Sequence, residues 1–297
     1  MSAYIQAAAQ ISIQKPLSDE WLTDPLVYEE PFRRAIEADY KPFIDPVSSR
    51  RMGKILKRAI ATAATVAGES GISSPDAIIC GTGLGCIENT EKFLSAMVNE
   101  GESFLQPTHF INSTHNTISS HIAVYLKCNG YNSTYVHLGV SFECALLDAF
   151  MQFQLGRIRS ALVGGHDEMT SDYFNMLDRI GFWEGKVASE CAVSFMISDT
   201  ATPASMARIR EVILLHNPGK ERIEEAINTT CKKLGIPRQE WVSPPSVKPV
   251  FGESFTEPAY ELYAAAVRMK KNISPDNVLL INNHQDRETS LIFISKC

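Results

Sequence analysis

Cys144 and Ser141 are the two residues whose type and setting most directly suggest covalent chemistry. Cys144 falls at the start of an apolar, helix-patterned stretch, and a helix N-terminus can lower a thiol pKa and make it nucleophilic. Glu143 beside it works in the opposite direction. Ser141 sits in Gly139-Val140-Ser141-Phe142-Glu143 between a strand-like and a helix-like run, as a hydrolase nucleophile elbow would. That elbow needs a second glycine where Glu143 stands, because strand and helix crowd together there. Gly81-Thr82-Gly83-Leu84-Gly85 follows a strand and could cradle a phosphate. The dinucleotide pattern, however, wants glycine at Cys86 and an acidic residue in a second strand. His109, His115 and His121 are spaced by six, share no helix face, and lack a carboxylate to complete a ligand set. Neither a nucleotide cofactor nor a metal is therefore expected.

These groups are carried by a chain that alternates strands and helices. Residues 15–50 are rich in proline, acid and aromatics and read as an irregular cover. The spacing of Met52, Ile55, Leu56, Ala59, Ile60 and Ala63 predicts a helix over 51–68. Further helices are expected over 88–99, 116–128, 143–155, 222–234 and 259–271, with a loop around Pro107. Strands are expected at 76–82, 134–138, 160–165, 191–198, 208–214, 278–281 and 290–294. This alternation implies an α/β fold whose sheets are covered on both faces.

The chain has 297 residues, 44% apolar and 21% charged, long enough for one large domain or two small ones. It carries 28 basic and 34 acidic residues, a net charge of −6, so no basic excess favours nucleic acid or an anionic membrane. The seven cysteines are widely spaced and form no disulfide framework or zinc spacing. The first ten residues lack the pattern of a signal peptide, and no apolar run approaches ~20 residues. A cytoplasmic setting is the expectation.

From Ile78 to about Leu215 the chain resembles the N-terminal half of β-ketoacyl synthases, the condensing enzymes of the thiolase fold. The resemblance rests on Gly81-Thr82-Gly83-Leu84-Gly85, Pro107-Thr108-His109-Phe110 with Asn116, Gly130 ahead of a strand, and Ser160-Ala161-Leu162-Val163-Gly164-Gly165, all at matching spacing. Glu184-Gly185-Lys186 through Ser198 looks like the strand that closes that half. Lys248-Pro249-Val250-Phe251-Gly252-Glu253 resembles the synthase's lysine-to-glycine-histidine segment, and Asn282 to Asp286 stand where a glycine-rich loop with phenylalanine usually lies. The resemblance implies one thiolase-like domain over 1–297: two pseudo-duplicated βαβ halves in α-β-α-β-α layers, residues 1–200 forming the first and a shortened 201–297 the second.

It also implies what chemistry to look for. A condensing synthase uses a cysteine thiolate to accept an acyl group from a carrier thioester, and two histidines to stabilise the enolate and oxyanion. Aligned from Gly130 forward and from Gly156 back, the nucleophile position falls on Gly139, and Cys144 lies five residues later. Glu253 replaces one histidine. The loop bearing the other has no room between Pro237 and Lys248, so all three catalytic positions are empty. Phe110 to Thr117 and Ser141 to Ala149 look like the synthase-like subunits of aryl-polyene and flexirubin pigment pathways, which resemble chain-length factors. The resemblance thus implies a partner subunit. It would pair with an active ketosynthase (or with itself) through an edge at Ser133–Leu138, and would serve acyl chains on an acyl carrier protein. Leu84, His109 and Phe110 would line or close the acyl tunnel. Two alternatives stay open: an acyltransferase using Cys144 with His115, His137 or His284 as base, and a serine hydrolase at Ser141.

Overall fold

The computed structural model describes residues 3–101 and 105–297. In chain order the elements are β1 (Ala3–Ile11), β2 (Phe32–Arg33), α1 (Pro46–Ser49), α2 (Lys54–Ser70), β3 (Ala77–Gly81), α3 (Ile87–Glu100), α4 (Pro107–Ser113), α5 (Thr117–Leu126) and β4 (Tyr131–Tyr135). There follow α6 (Ser141–Gln154), β5 (Ser160–Asp167), α7 (Ser171–Asp178), β6 (Ala188–Ser189), β7 (Cys191–Ser198), β8 (Ala207–His216), α8 (Lys220–Leu234), α9 (Lys248–Phe251), α10 (Pro258–Lys270), β9 (Asn277–His284) and β10 (Glu288–Ser295).

Eight strands form one sheet in the order β4-β3-β5-β7-β1-β8-β10-β9. The three strands β4, β3 and β5 run parallel, whereas β7 is antiparallel to both β5 and β1. Only three residue pairs, Ala3–Ile5 against Ala207–Ile209, join β1 to β8. That narrow seam separates five strands on one side from three on the other.

Side-chain alternation along the strands sorts the core into layers. Ile78, Cys80, Leu162 and Met196 pack outward with Ile55, Leu56, Ala59 and Ala63 of α2 and Ile118 and Ile122 of α5. Their neighbours Ile79, Val163 and Phe195 point the other way, into a cluster with Phe142, Leu146 and Phe153 of α6 and Tyr260, Ala264 and Val267 of α10. The opposite side of α6 and α10 meets Ile209, Val212, Leu280 and Ile292 of the second half. Beyond that, Leu279, Leu291 and Phe293 face Ile227 and Cys231 of α8. The two parts of the one sheet thus lie on either side of α6/α10, in the order α2/α5, strands β4 to β1, α6/α10, strands β8 to β9, α8: the α-β-α-β-α layering expected of a thiolase fold.

The strongly periodic helices stand near their expected positions: α2 covers 54–70 and ends at Gly71, whose φ of 71° a side chain would resist. The central strand β1 carries no such signal, because its Ala/Gln pattern is neither periodic nor β-rich. It is buried because Gln6 donates to Ser198 Oγ (2.8 Å) and Gln10 donates to Lys15 O (2.8 Å), satisfying amides that would otherwise exclude it. The region around Pro107 forms the short helix α4 rather than a loop. The edge strand is β4 at 131–135, not 134–138: Leu138 adopts φ 45°, and the chain leaves the sheet before it. The proline-rich cover is anchored by Arg58, buried between Glu37 (2.6 Å) and Glu190 (2.8 Å), while Glu190 also accepts from Ala35 N (2.8 Å). Among the described residues no helix is long and apolar enough to cross a membrane.

Candidate functional site

The end of β4 and the start of α6 are joined by a tight turn over Val136–Val140. Ser141 caps it: its Oγ accepts from His137 N (2.7 Å) and donates to Leu138 O (2.7 Å). Ser141 is fully buried and both hydroxyl roles are filled, so the serine-hydrolase alternative is set aside. The turn must approach β3 closely. A Cβ at Gly81 would run into the Ser141 backbone, which cannot yield, so Gly81 is required by the packing of strand against helix.

Gly139 lies in this turn with the His284 ring directly over it. A Cβ built on Gly139 would fall less than 3 Å from three atoms of that ring. His284 comes from the end of β9, on the far side of the molecule in sequence. Its neighbour in the strand, Asn282, donates to Gly139 O (3.2 Å) and to Glu143 Oε1 (2.7 Å), and Ser290 Oγ donates to the same carboxyl oxygen (2.9 Å). Glu143 is wholly buried, its Oε2 has no partner, and burial pushes its carboxyl up to about 7. The β4–α6 turn is therefore tied to β9 and β10 by a carboxyl–amide–backbone clamp.

Beside Gly139 opens a cavity of about 260 Å³ whose wall includes Phe182, Trp183, Lys186, Ser254, Phe255 and His284. Lys248 and Glu253 also reach it. Lys248 is held between Glu253 (3.3 Å) and Glu257 (2.9 Å); these two partners raise its pKa against the opposing effect of burial, and burial pushes Glu257 up to about 7. At the position where the resemblance calls for a histidine, the structure thus has a carboxylate bound to a lysine.

The glycine loop 81–85 does not offer its N–H groups to a ligand. Asp167 accepts from Gly83 N (2.9 Å), Leu84 N (2.8 Å) and Thr82 Oγ1 (2.9 Å), so the protein's own carboxylate fills the place a phosphate would take. Burial pushes Asp167 up to about 6.

Cys144 is half-buried, with Sγ 3.8 Å from His137 Nδ1. Burial, then Glu143 and Glu288, push its thiol up to about 11, away from the thiolate that a nucleophile needs. Leu84 is buried in an aromatic cluster with Phe174, Trp183 and Phe255, of which Trp183 and Phe255 wall the cavity and Leu84 does not. His109 Nδ1 lies 3.3 Å from Asn89 Oδ1, and Phe110 is 58% exposed with its ring 5.4 Å from Phe93. The latter two lie on the α3–α4 face, outside the wall of the Gly139 cavity.

The sequence reading singled out Gly139 and Glu253, and held His284 as one candidate base. It did not foresee that His284 covers Gly139, that Asn282 and Glu143 form a clamp, or that Phe182 and Trp183 wall the cavity. One available signal was Glu143 itself, a carboxyl between Phe142 and Ala145 on the apolar side of a helix.

Residues 27–232 match the family model described as "Beta-ketoacyl synthase, N-terminal domain", more than half of the chain. The chain belongs to the β-ketoacyl synthase family. No curated protein is significantly similar to it in sequence. Among solved structures it is similar to the ishigamide ketosynthase/chain length factor, with a TM-score of 0.82 at 13% identity over all of this chain and 99% of the other. A ketosynthase in complex with its chain length factor from Xenorhabdus doucetiae gives 0.78 at 14% identity over 100% and 98%. A type II polyketide acyl-carrier protein in complex with its ketosynthase bound to the hexaketide gives 0.82 at 11% identity over 100% and 99%. At these identities the likeness establishes the ketosynthase fold. In this member of the family, the turn between β4 and α6 carries Gly139 under an imidazole.

Proposed function

We propose that the chain is a non-catalytic chain-length subunit that pairs with an active β-ketoacyl synthase elongating acyl chains on an acyl carrier protein. The observation that carries this reading is the seat of His284 on Gly139. The nucleophile is absent, and the space its side chain would need is filled. Glu253 bound to Lys248 removes a second catalytic group. By resemblance the pathway is of the aryl-polyene or flexirubin type, and the partner is a ketosynthase or, failing that, a second copy of this chain.

The edge that receives the partner is β4, paired on one side only, with Tyr131, Val136 and Leu138 exposed beside it. Phe110 and Ile111 are exposed apolar residues of α4, and contiguous apolar exposure of this kind suits a protein interface. In the assembled pair Leu84, His109 and Phe110 border the acyl tunnel, where side-chain bulk limits extension. Co-expression with the partner synthase is expected to yield a stable complex, and Phe110→Ala within it to shift the product distribution toward longer chains by mass spectrometry. Unchanged product lengths across Leu84, His109 and Phe110 substitutions would remove the tunnel assignment.

One contact favours a second reading, acyl transfer by Cys144: the thiol lies 3.8 Å from a histidine that could accept its proton. The raised thiol pKa and the neighbouring Glu143 weigh against it.

A further inference from the structure

The sheet comes apart beside its central strand. β1 pairs with β8 only over Ala3–Ile5, and from Ala7 onward it is paired with β7 alone. Gln10 turns its C=O away from β7 and accepts from Leu17 N (2.8 Å). Strand alternation turns the N–H and C=O of Ala8 to that same side, where no group of the described residues bonds to them. Ala8 is accordingly half-buried in mid-strand, whereas Ala7 and Ala9 are buried. At this free edge opens a cavity of about 410 Å³ whose lining includes Ala8, Leu17, Met206 and Val267. It shares no lining residue with the cavity beside Gly139, and its volume falls within the range of small-molecule sites. A backbone donor and acceptor left open in a central strand are groups that folded proteins supply with a partner. Four charged side chains also line this space: Asp19, Glu69, Lys270 and Lys271. Two are committed, since Lys271 Nζ lies 3.2 Å from Asp19 Oδ2 and the Tyr263 hydroxyl donates to Asp19 Oδ1 (2.8 Å). Glu69 in the last turn of α2 and Lys270 at the end of α10 form no ion pair or hydrogen bond among the described residues. Burial raises the Glu69 carboxyl pKa, and the charge of Lys270 offsets part of that rise. One uncommitted cation and one uncommitted anion thus flank an apolar floor and an open peptide edge.

We propose that this cavity binds a free α-amino acid with an apolar side chain, its carboxylate received by Lys270 and the Ala8 N–H, its ammonium group by Glu69 and the Ala8 C=O, and its side chain by Leu17, Met206 and Val267. A ligand with one charge answers only one of the two free side chains, and a neutral apolar ligand answers neither. The bound molecule bridges β1, α2 and α10 where the sheet is open, so it stabilises the folded chain by mass action. The proposal is independent of the proposed function, because the site lies apart from the β4–α6 turn.

Titration calorimetry and thermal unfolding of the purified chain test this, with L-leucine, L-methionine, N-acetyl-L-leucine and L-leucinamide as probes at matched ionic strength. Leucine or methionine is expected to bind and to raise Tm with concentration. Acetylating the amine or amidating the carboxylate should each weaken binding about tenfold or more. Lys270→Gln should bring the affinity for leucine down toward that for leucinamide, and Glu69→Gln toward that for N-acetyl-leucine. Both side chains are exposed, so the variants should keep the parent circular dichroism spectrum. Failure of both amino acids to bind, equal binding of the singly charged analogues, or an affinity unmoved in the folded variants would each overturn the proposal.

Discussion

Gly139→Ala is expected to destabilise the protein by about 1–3 kcal/mol in urea unfolding, and His284→Ala is expected to remove most of that cost. The added methyl group would have to occupy space held by the His284 ring, so either the ring is displaced or the turn opens. Displacing the ring strips packing from the turn, and opening the turn strains the Ser141 cap and the Asn282 bond to Gly139 O. With His284 shortened, the methyl group has room. The double-mutant cycle should therefore show strong coupling, whereas independent sites add to within about 0.5 kcal/mol. Additive costs would mean that the imidazole does not hold the space above Gly139. The same geometry predicts that Gly139→Cys alone fails to install a usable nucleophile, because the thiol's own Cβ is the atom in conflict.

The second large effect is a pH dependence centred on Glu143. Its carboxyl is buried with one oxygen unpartnered, and its pKa is raised from 4.5 to about 7. The folded state therefore holds a proton that the unfolded chain releases above 4.5. The resulting stabilisation is fully present below pH 4.5 and is lost as pH rises through 7. A shift of this size corresponds to about 3 kcal/mol at most. Glu143→Gln keeps an oxygen to accept from Asn282 and Ser290 but cannot ionise. Between pH 5 and 8 the stability of Glu143→Gln relative to the parent should rise by about 1–3 kcal/mol, read from urea midpoints in a pH series. Parallel curves for the two proteins would show that Glu143 does not titrate in this range. Asp167, Glu168 and Glu257, pushed up to between about 6 and 7 by burial, add to the decline in the parent. His166 opposes them. Fully buried with neither ring nitrogen partnered, it is depressed to about 3, and its contribution is lost as pH falls below 6.5. The four raised carboxyls outweigh this one imidazole, so on these groups stability should fall as pH rises from about 4.5 through 7.

The parts of this molecule that were legible in the sequence are those whose physics is local. Helices α2, α6, α8 and α10 announce themselves by apolar spacing, and Gly71, Gly156 and Gly235 mark the ends of three of them. The turn between β4 and α6 was legible because a strand-like run and an apolar helix flank it, although the strand ends earlier than the sequence suggests. Strand β1 was not legible, since its alanines and glutamines are made strand-compatible only by Ser198, Thr200 and the loop at Lys15. The displacement of the edge strand turned on Leu138 leaving the sheet with positive φ, a conformation its residue type does not advertise. Nor could the site be completed from sequence. Gly139 and His284 stand 145 residues apart, and their contact depends on how β9 lies against α6. The contact of the His284 ring with Gly139 was not readable from the sequence.

The central claim is that this chain shapes condensation without taking the acyl group itself. Intact-protein mass spectrometry of the co-purified complex, after incubation with an acyl thioester, separates the two subunits and reads the adduct on each. The account predicts one acyl mass on the partner synthase and none on this chain. An acyl adduct on this chain, lost on Cys144→Ser, would contradict it and establish the thiol beside His137 as the nucleophile.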